Sequence, residues 1–355
     1  MSPRQVAIVA ALCASPAVAA ENVVDTHGDT LVLEAGHASL RKWLLPDVVP
    51  SPEDNKLTPQ RAALGKMLFF DPRLSGTGQS TCASCHLPER GWSDSFPKSI
   101  RFMGDVMTRA SPSLVNLGYN SIFQWDGRSP TLEHQAVNGA GPSGSMNAAG
   151  KAKPTDGIAN IQKIPAYGEL FARAYPGEGV TPTSIGKALA SFERTVVSRD
   201  SPFDQWLHGK KDALTPQQVQ GFRVFVDPAK GNCSACHSAP NFTDNGFHNL
   251  GLKSGADKDA DVGRFRQRPV ALMKGAFKTP QLRDVAQSAP YFHDGSAATL
   301  EEVVDHYAKG GDVKTNLSPL MNPLSLSSEE KQALVAFLRG LSTAHPIFEY
   351  PVLPK

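Results

Sequence analysis

Two short motifs constrain this chain more than any other feature: Cys82-Ala-Ser-Cys85-His86 and Cys233-Ser-Ala-Cys236-His237. Thiols three positions apart can each add to one vinyl group of a haem, and the adjacent histidine then lies beneath the iron as its proximal ligand. Five residues thus supply covalent anchorage and one axial bond. A redox-active CxxC pair does not need the following histidine, and a zinc site draws its four ligands from neighbouring segments. Two CxxCH motifs about 150 positions apart therefore predict two covalently bound c-type haems, on Cys82, Cys85, His86 and on Cys233, Cys236, His237.

The remaining cysteine is Cys13, which falls within residues 1–20. Arg4, the apolar run from Val6 to Ala14 and the small residues ending at Ala20 have the layout of a signal peptide cut after Ala20. The run is too short to span a bilayer, and no later segment is apolar enough. The expectation is a mature protein in the periplasm with no membrane span. All four of its cysteines then sit in the two motifs, which leaves none for a structural disulfide.

The chain repeats itself around the motifs. Gly65 to Asp71-Pro72, the first CxxCH and Trp92-Ser-Asp94 are matched by Gly221 to Asp227-Pro228, the second CxxCH and Phe242-Thr-Asp244. Each copy reads as a helix ending at Asp-Pro, then a short loop that delivers the histidine. Thr215-Pro216 to Gln218 and Ser327 to Glu330 are capping boxes, Thr299 to Glu302 is another, and Thr58-Pro59 starts the first-copy helix. Ile185, Leu189, Phe192 and Val196 keep helical spacing, as do Leu334, Phe337, Leu338 and Leu341. Strand signals are few. The predicted fold is mainly α, with two cytochrome c-like haem domains and long loops. The predicted divisions are a leader 1–20, an extension 21–56 of undefined structure, haem domains 57–205 and 206–345, and a tail 346–355. Residues 138–160 and 253–268, rich in Gly, Ala and charge, read as loops. A formal net charge of +2, or +1 without Arg4, and the lack of a basic run exclude nucleic-acid binding of the electrostatic kind.

The order of motifs resembles the bacterial dihaem cytochrome c peroxidases, including their MauG-type branch, over about residues 57–342. The resemblance rests on Leu64-Gly65 to Asp71-Pro72, both CxxCH sites, Trp125-Asp126-Gly127-Arg128 and Gln135-Ala136. It also rests on Phe203-Asp204, Lys278 to Arg283-Asp284, and Ala289-Pro290-Tyr291-Phe292-His293-Asp294-Gly295. It implies a peroxide site at the His86 haem, an electron-storing haem at His237, and Trp125 as the carrier of charge between them. It implies Tyr307 as sixth ligand of the second haem, as in the MauG-type branch, with Met273 and Met321 as rivals. Gln135 becomes a polar distal group. Hydrogen peroxide would be the substrate. A small cytochrome c or cupredoxin, or side chains of a partner protein, would supply the electrons, and the protein would be a monomer or homodimer.

Three departures from the family pattern matter. No histidine lies between His86 and His134, where typical members carry one near the place of Phe102. The expectation is a permanently open iron. Ser145, before Met146, stands where the family has an acid that helps break the O–O bond, while Glu133 is near in sequence. Ala110 follows Arg109 where the family has a calcium-binding Asn; Ca2+ could instead use main-chain oxygens near Ser288 and Pro290, or Asn116. The missing acid also supports a different reading, a non-enzymatic dihaem cytochrome for electron transfer or gas binding.

Overall fold

The structure is a computed structural model and describes residues 21–101, 104–139 and 154–355. A hairpin of β1 (Asn22–Val24) and β2 (Thr30–Val32) opens it, followed by a 3-10 helix Ala38–Trp43. The helices are α1 (Pro59–Phe70), α2 (Leu132–His134, running into a π-helical turn Gln135–Gly139), α3 (Pro154–Gln162), α4 (Pro165–Ala174), α5 (Pro182–Glu193), α6 (Pro202–Leu207), α7 (Pro216–Val226), α8 (Leu300–Lys309) and α9 (Ser328–Arg339). One further two-residue ladder joins β3 (Phe247–His248) to β4 (Phe277–Lys278). The fold is mainly α with long loops, as the sequence predicts.

The helix starts follow from local chemistry. Thr58, Thr181, Ser201, Thr215 and Ser327 each accept a hydrogen bond from the third residue onward, and four of these helices carry proline in the first turn. That satisfies an orphan N–H and presets φ. At α8 the cap is half a box: Thr299 accepts from the Glu302 N–H, but the Glu302 carboxylate reaches the Ala298 N–H.

The duplication becomes concrete at two helix crossings. α1 packs on α5, and α7 packs on α9. At Gly65 a Cβ would lie 1.9 Å from the Ala188 carbonyl oxygen, and at Gly221 a Cβ would lie 1.9 Å from that of Ala333. Only glycine admits this approach, so the repeated glycines of the sequence are contact glycines. The repeat also extends further than the sequence shows. The loop 123–129 closes through a Phe123–Ser129 bridge, and 291–297 closes through Tyr291–Ala297. Both turn through a left-handed residue, Gln124 and Phe292, and Trp125 and His293 occupy matching places.

Two apolar cores result. One gathers Leu64, Phe69, Tyr167, Phe171, Ile185, Leu189 and Phe192; the other gathers Phe203, Phe222, Phe225, Phe242, Val304, Leu334 and Phe337. The extension 21–56 is ordered: Leu31, Leu40 and Trp43 belong to the second core, although they precede the first in sequence. At the other end Phe348 of the tail packs on the first core. The expected loop 138–160 needs correction, because 154–160 is helical. Gly157, within that stretch, is a third contact glycine; its Cβ would lie 1.9 Å from the Leu74 carbonyl oxygen.

Candidate haem pockets

Each CxxCH motif folds as a single 3-10 turn after the Asp-Pro helix end, Cys82–Ser84 and Cys233–Ala235. The turn places the next histidine against a device that occurs in both copies. His86 Nδ1 donates to the Trp92 carbonyl at 3.0 Å, and His237 Nδ1 donates to the Phe242 carbonyl at 3.0 Å. Trp92 and Phe242 both adopt left-handed backbone, at φ 59° and 56°, which aims their carbonyls inward. With Nδ1 committed as donor, Nε2 keeps its lone pair for a metal. Burial pushes His86 below the usual histidine range and His237 down to about 4, so both rings are neutral near pH 7. None of the four motif cysteines is in a disulfide.

Both histidines face cavities. The first, about 500 Å³, is lined by Cys85, His86, Trp125, Gln135, Lys98, Ser99 and the stretch from Met107 to Leu114. The second, about 400 Å³, is lined by Cys233, Cys236, His237, Tyr307, Met321 and apolar side chains including Leu282, Val304 and Leu338. These volumes suit a bound cofactor-sized group. A thiol and an imidazole line the first cavity, and two thiols and an imidazole line the second, donors that suit haem. Trp125 lines both cavities. Its indole Nε1–H donates to the Ala110 carbonyl at 2.9 Å, which fixes the ring between them.

The distal residues sort clearly. Gln135 is buried, borders the first cavity, and its Oε1 has no hydrogen-bond partner among the described residues. Glu133 is spent elsewhere: its carboxylate accepts from Asn55 at 2.8 Å and Arg194 at 2.7 Å. Burial alone would raise this carboxyl, but those bonds hold it below its ordinary value. Tyr307 faces the second cavity with His237, and burial pushes its phenol up. Met321 shares that cavity; Met273 does not border it. Asn116 holds the Ser198 backbone with both ends of its carboxamide, at 2.9 Å each. Phe102, Ser145 and Met146 lie outside the described residues.

Some cavity residues carried no assigned role at the sequence level, although the quoted motifs contain most of them. Lys278 is buried between the cavities, donates to the Thr279 carbonyl, and is pushed down to about 8 by burial. His293 stacks on Phe277 with centroids 3.4 Å apart, and its centroid is 6.5 Å from that of Trp125. Beside Trp125, the buried Asp126 pairs with Arg109 at 2.9 Å, and Arg109 also pairs with Asp261 at 2.6 Å. Burial alone would raise Asp261, but Arg109 pulls it down to about 2. The motif order was the available signal; the pairing with Asp261 had none.

The sequence profile described as di-haem cytochrome c peroxidase matches residues 59–212. The methylamine utilization protein MauG of Methylorubrum extorquens is 41% identical over 310 residues, covering 87% of this chain and 86% of that protein. The chain belongs to the di-haem cytochrome c peroxidase family. A cytochrome c551 peroxidase of Pseudomonas aeruginosa is 33% identical over 316 residues, covering 87% of this chain and 86% of that protein. Among solved structures, a MauG-like protein associated with microbial copper homeostasis superposes with a TM-score of 0.77 at 32% identity, covering 87% of this chain and 99% of that one. The chain is thus an oxidoreductase of a haem-using peroxidase family. Among the described residues, no helix is long and apolar enough to cross a membrane.

Proposed function

We propose that this chain is a periplasmic, MauG-like dihaem peroxidase, with haem domains over 57–205 and 206–345, that reduces hydrogen peroxide to water using two electrons from a partner protein. The observation that carries the reading is Trp125, a single indole forming a wall of both histidine-bearing cavities. The thiols of Cys82 and Cys85, and of Cys233 and Cys236, would hold the two haems, with His86 and His237 as proximal ligands. When bound, the first haem supplies the iron that cleaves the O–O bond and the second stores an oxidising equivalent.

The chain's own residues do the rest. Gln135 offers an Oε1 unmet among the described residues to the first cavity, where it orients peroxide or water by hydrogen bonding. An amide moves no net charge, so its share is orientation rather than proton transfer. Trp125 passes the second equivalent across. Its Nε1–H is bonded to a backbone carbonyl, which is too weak a base to take the proton, so the indole keeps it. Tyr307 lines the second cavity with His237 and would be the second haem's sixth ligand. A phenolate is an anionic oxygen donor and favours highly oxidised iron, which suits storage. Tyr307 and the 41% identity to the methylotroph MauG favour side chains of a partner protein as the electron source over a small cytochrome or cupredoxin. The leader-like residues 1–20 support export.

Peroxide turnover by the holoprotein tests the distal role. Gln135→Ala is expected to lower kcat/KM about 10-fold or more, the scale of one lost active-site hydrogen bond. Unchanged kcat/KM would remove Gln135 from the site.

A further inference from the structure

The two ends of the chain cross over. The C-terminal tail leaves the second core and lies on the first: Phe348 meets the Trp92 ring edge-on at 5.3 Å and the Phe70 ring at 5.2 Å. The Tyr350 hydroxyl donates to Glu89 at 2.7 Å, and Arg73 donates to the Pro354 carbonyl at 2.7 Å. The N-terminal arm lies on the second core: Trp43 packs on the Phe242 ring at 4.9 Å. The Thr26 hydroxyl reaches Asn232 at 2.9 Å and Ser234 at 3.0 Å, within the second motif's own turn. The two residues so clamped, Trp92 and Phe242, are the ones whose carbonyls accept the Nδ1–H of His86 and His237.

We infer that the terminal arms are positioning elements for the proximal histidines: Phe348 sets the His86 hydrogen bond through Trp92, and Trp43 sets that of His237 through Phe242. The inference rests on the proposed ligand roles of His86 and His237. Its physics is direct. Trp92 and Phe242 hold a left-handed backbone that L side chains rarely adopt, so outside contacts must keep them there. The carbonyl they aim sets how much negative character the imidazole acquires, and hence how strongly it donates to iron. Losing a direct partner of a ligating histidine changes metal affinity or activity about 10–100-fold. Loosening that partner from one step away should do less.

The test is a pair of variants of the holoprotein, Phe348→Ala and Trp43→Ala, read by spectroelectrochemical titration and electron paramagnetic resonance of each haem. Phe348→Ala should shift the first haem's signal and raise its ratio of reduced to oxidised form about 3-fold or more at fixed potential, leaving the second haem unchanged. Trp43→Ala should do the reverse, and Phe348→Tyr should restore the parent spectrum. A Phe348→Ala protein with both haems unaltered overturns the inference, as does one in which both haems move together. If Trp43→Ala does not accumulate as folded protein, the Phe348 arm alone decides. His86→Gly is the control for the reading beneath. A first-haem spectrum unmoved by His86→Gly defeats the ligand assignment, whereas one moved by it but not by Phe348→Ala defeats the arms alone.

Discussion

Replacing Arg283 by Met should destabilise the second core by about 3–5 kcal/mol, the usual loss when one member of a buried ion pair is removed. The structure gives the reason. The Arg283 side chain is wholly buried, its Nη1 lies 2.6 Å from the Asp204 Oδ1, and its Nη2 donates to the Trp43 carbonyl at 3.0 Å. Asp204 keeps Ser201 on its other oxygen at 2.6 Å, so after Arg283→Met it retains a cap but holds an uncompensated buried charge. At about 2–4 °C per kcal/mol for a unit of this size, the loss is a fall in Tm of about 6–20 °C. Asp204→Asn strands the guanidinium instead and should be comparably harmful. The double variant removes both charges and should be about 2–3 kcal/mol milder than the sum of the singles. Equilibrium urea unfolding of the holoproteins, followed by far-ultraviolet circular dichroism and by the second haem's absorbance, measures all three. Additivity within about 0.5 kcal/mol would refute the claim that the two charges neutralise one another.

Two more outcomes follow from the pockets and the tail. Tyr307→Phe should change the second haem's absorbance and electron paramagnetic resonance spectra while leaving the first haem's alone; an unmoved second-haem spectrum gives the ligand position to Met321. His345 accepts restraint from Asp284, Nε2 to Oδ2 at 2.5 Å, and that bond raises its pKa. A raised folded-state value means its contribution is complete below the ordinary histidine value of about 6.5 and is lost as pH climbs through the raised value. The protection of amides in residues 343–354, relative to their intrinsic exchange at each pH, should therefore fall above neutral pH, and His345→Gln should flatten that dependence. A profile identical in both proteins would separate the tail from His345.

What the sequence discloses depends on range. Helices with their own caps, such as those starting after Thr58, Thr215 and Ser327, are legible because three or four neighbouring residues decide them. The haem-attaching residues are legible because the chemistry fixes their spacing. Contact glycines are ambiguous: Gly65, Gly157 and Gly221 look like weak points in a helix until a partner backbone is seen lying against them. The arms were hidden for a related reason. Leu31, Leu40 and Trp43 sit in a hairpin and a 3-10 turn, where apolar residues follow neither a 3.6 nor a long 2-residue period, and their partners lie about 200 residues away. Glu133 shows the same limit. Its distance in sequence from Gln135 suggests the distal pocket, but Arg194 and Asn55 turn it elsewhere.

The measurement that bears most directly on the central claim is rapid mixing of the holoprotein with one equivalent of hydrogen peroxide, resolved at the absorbance of each haem, in the parent and in Trp125→Phe. Both haems of the parent should respond together, whereas in Trp125→Phe the first should still respond and the second lag by about 10-fold or more. A parent protein with no fast change in either spectrum, or a Trp125→Phe protein whose second haem responds as fast as the parent's, would contradict that claim.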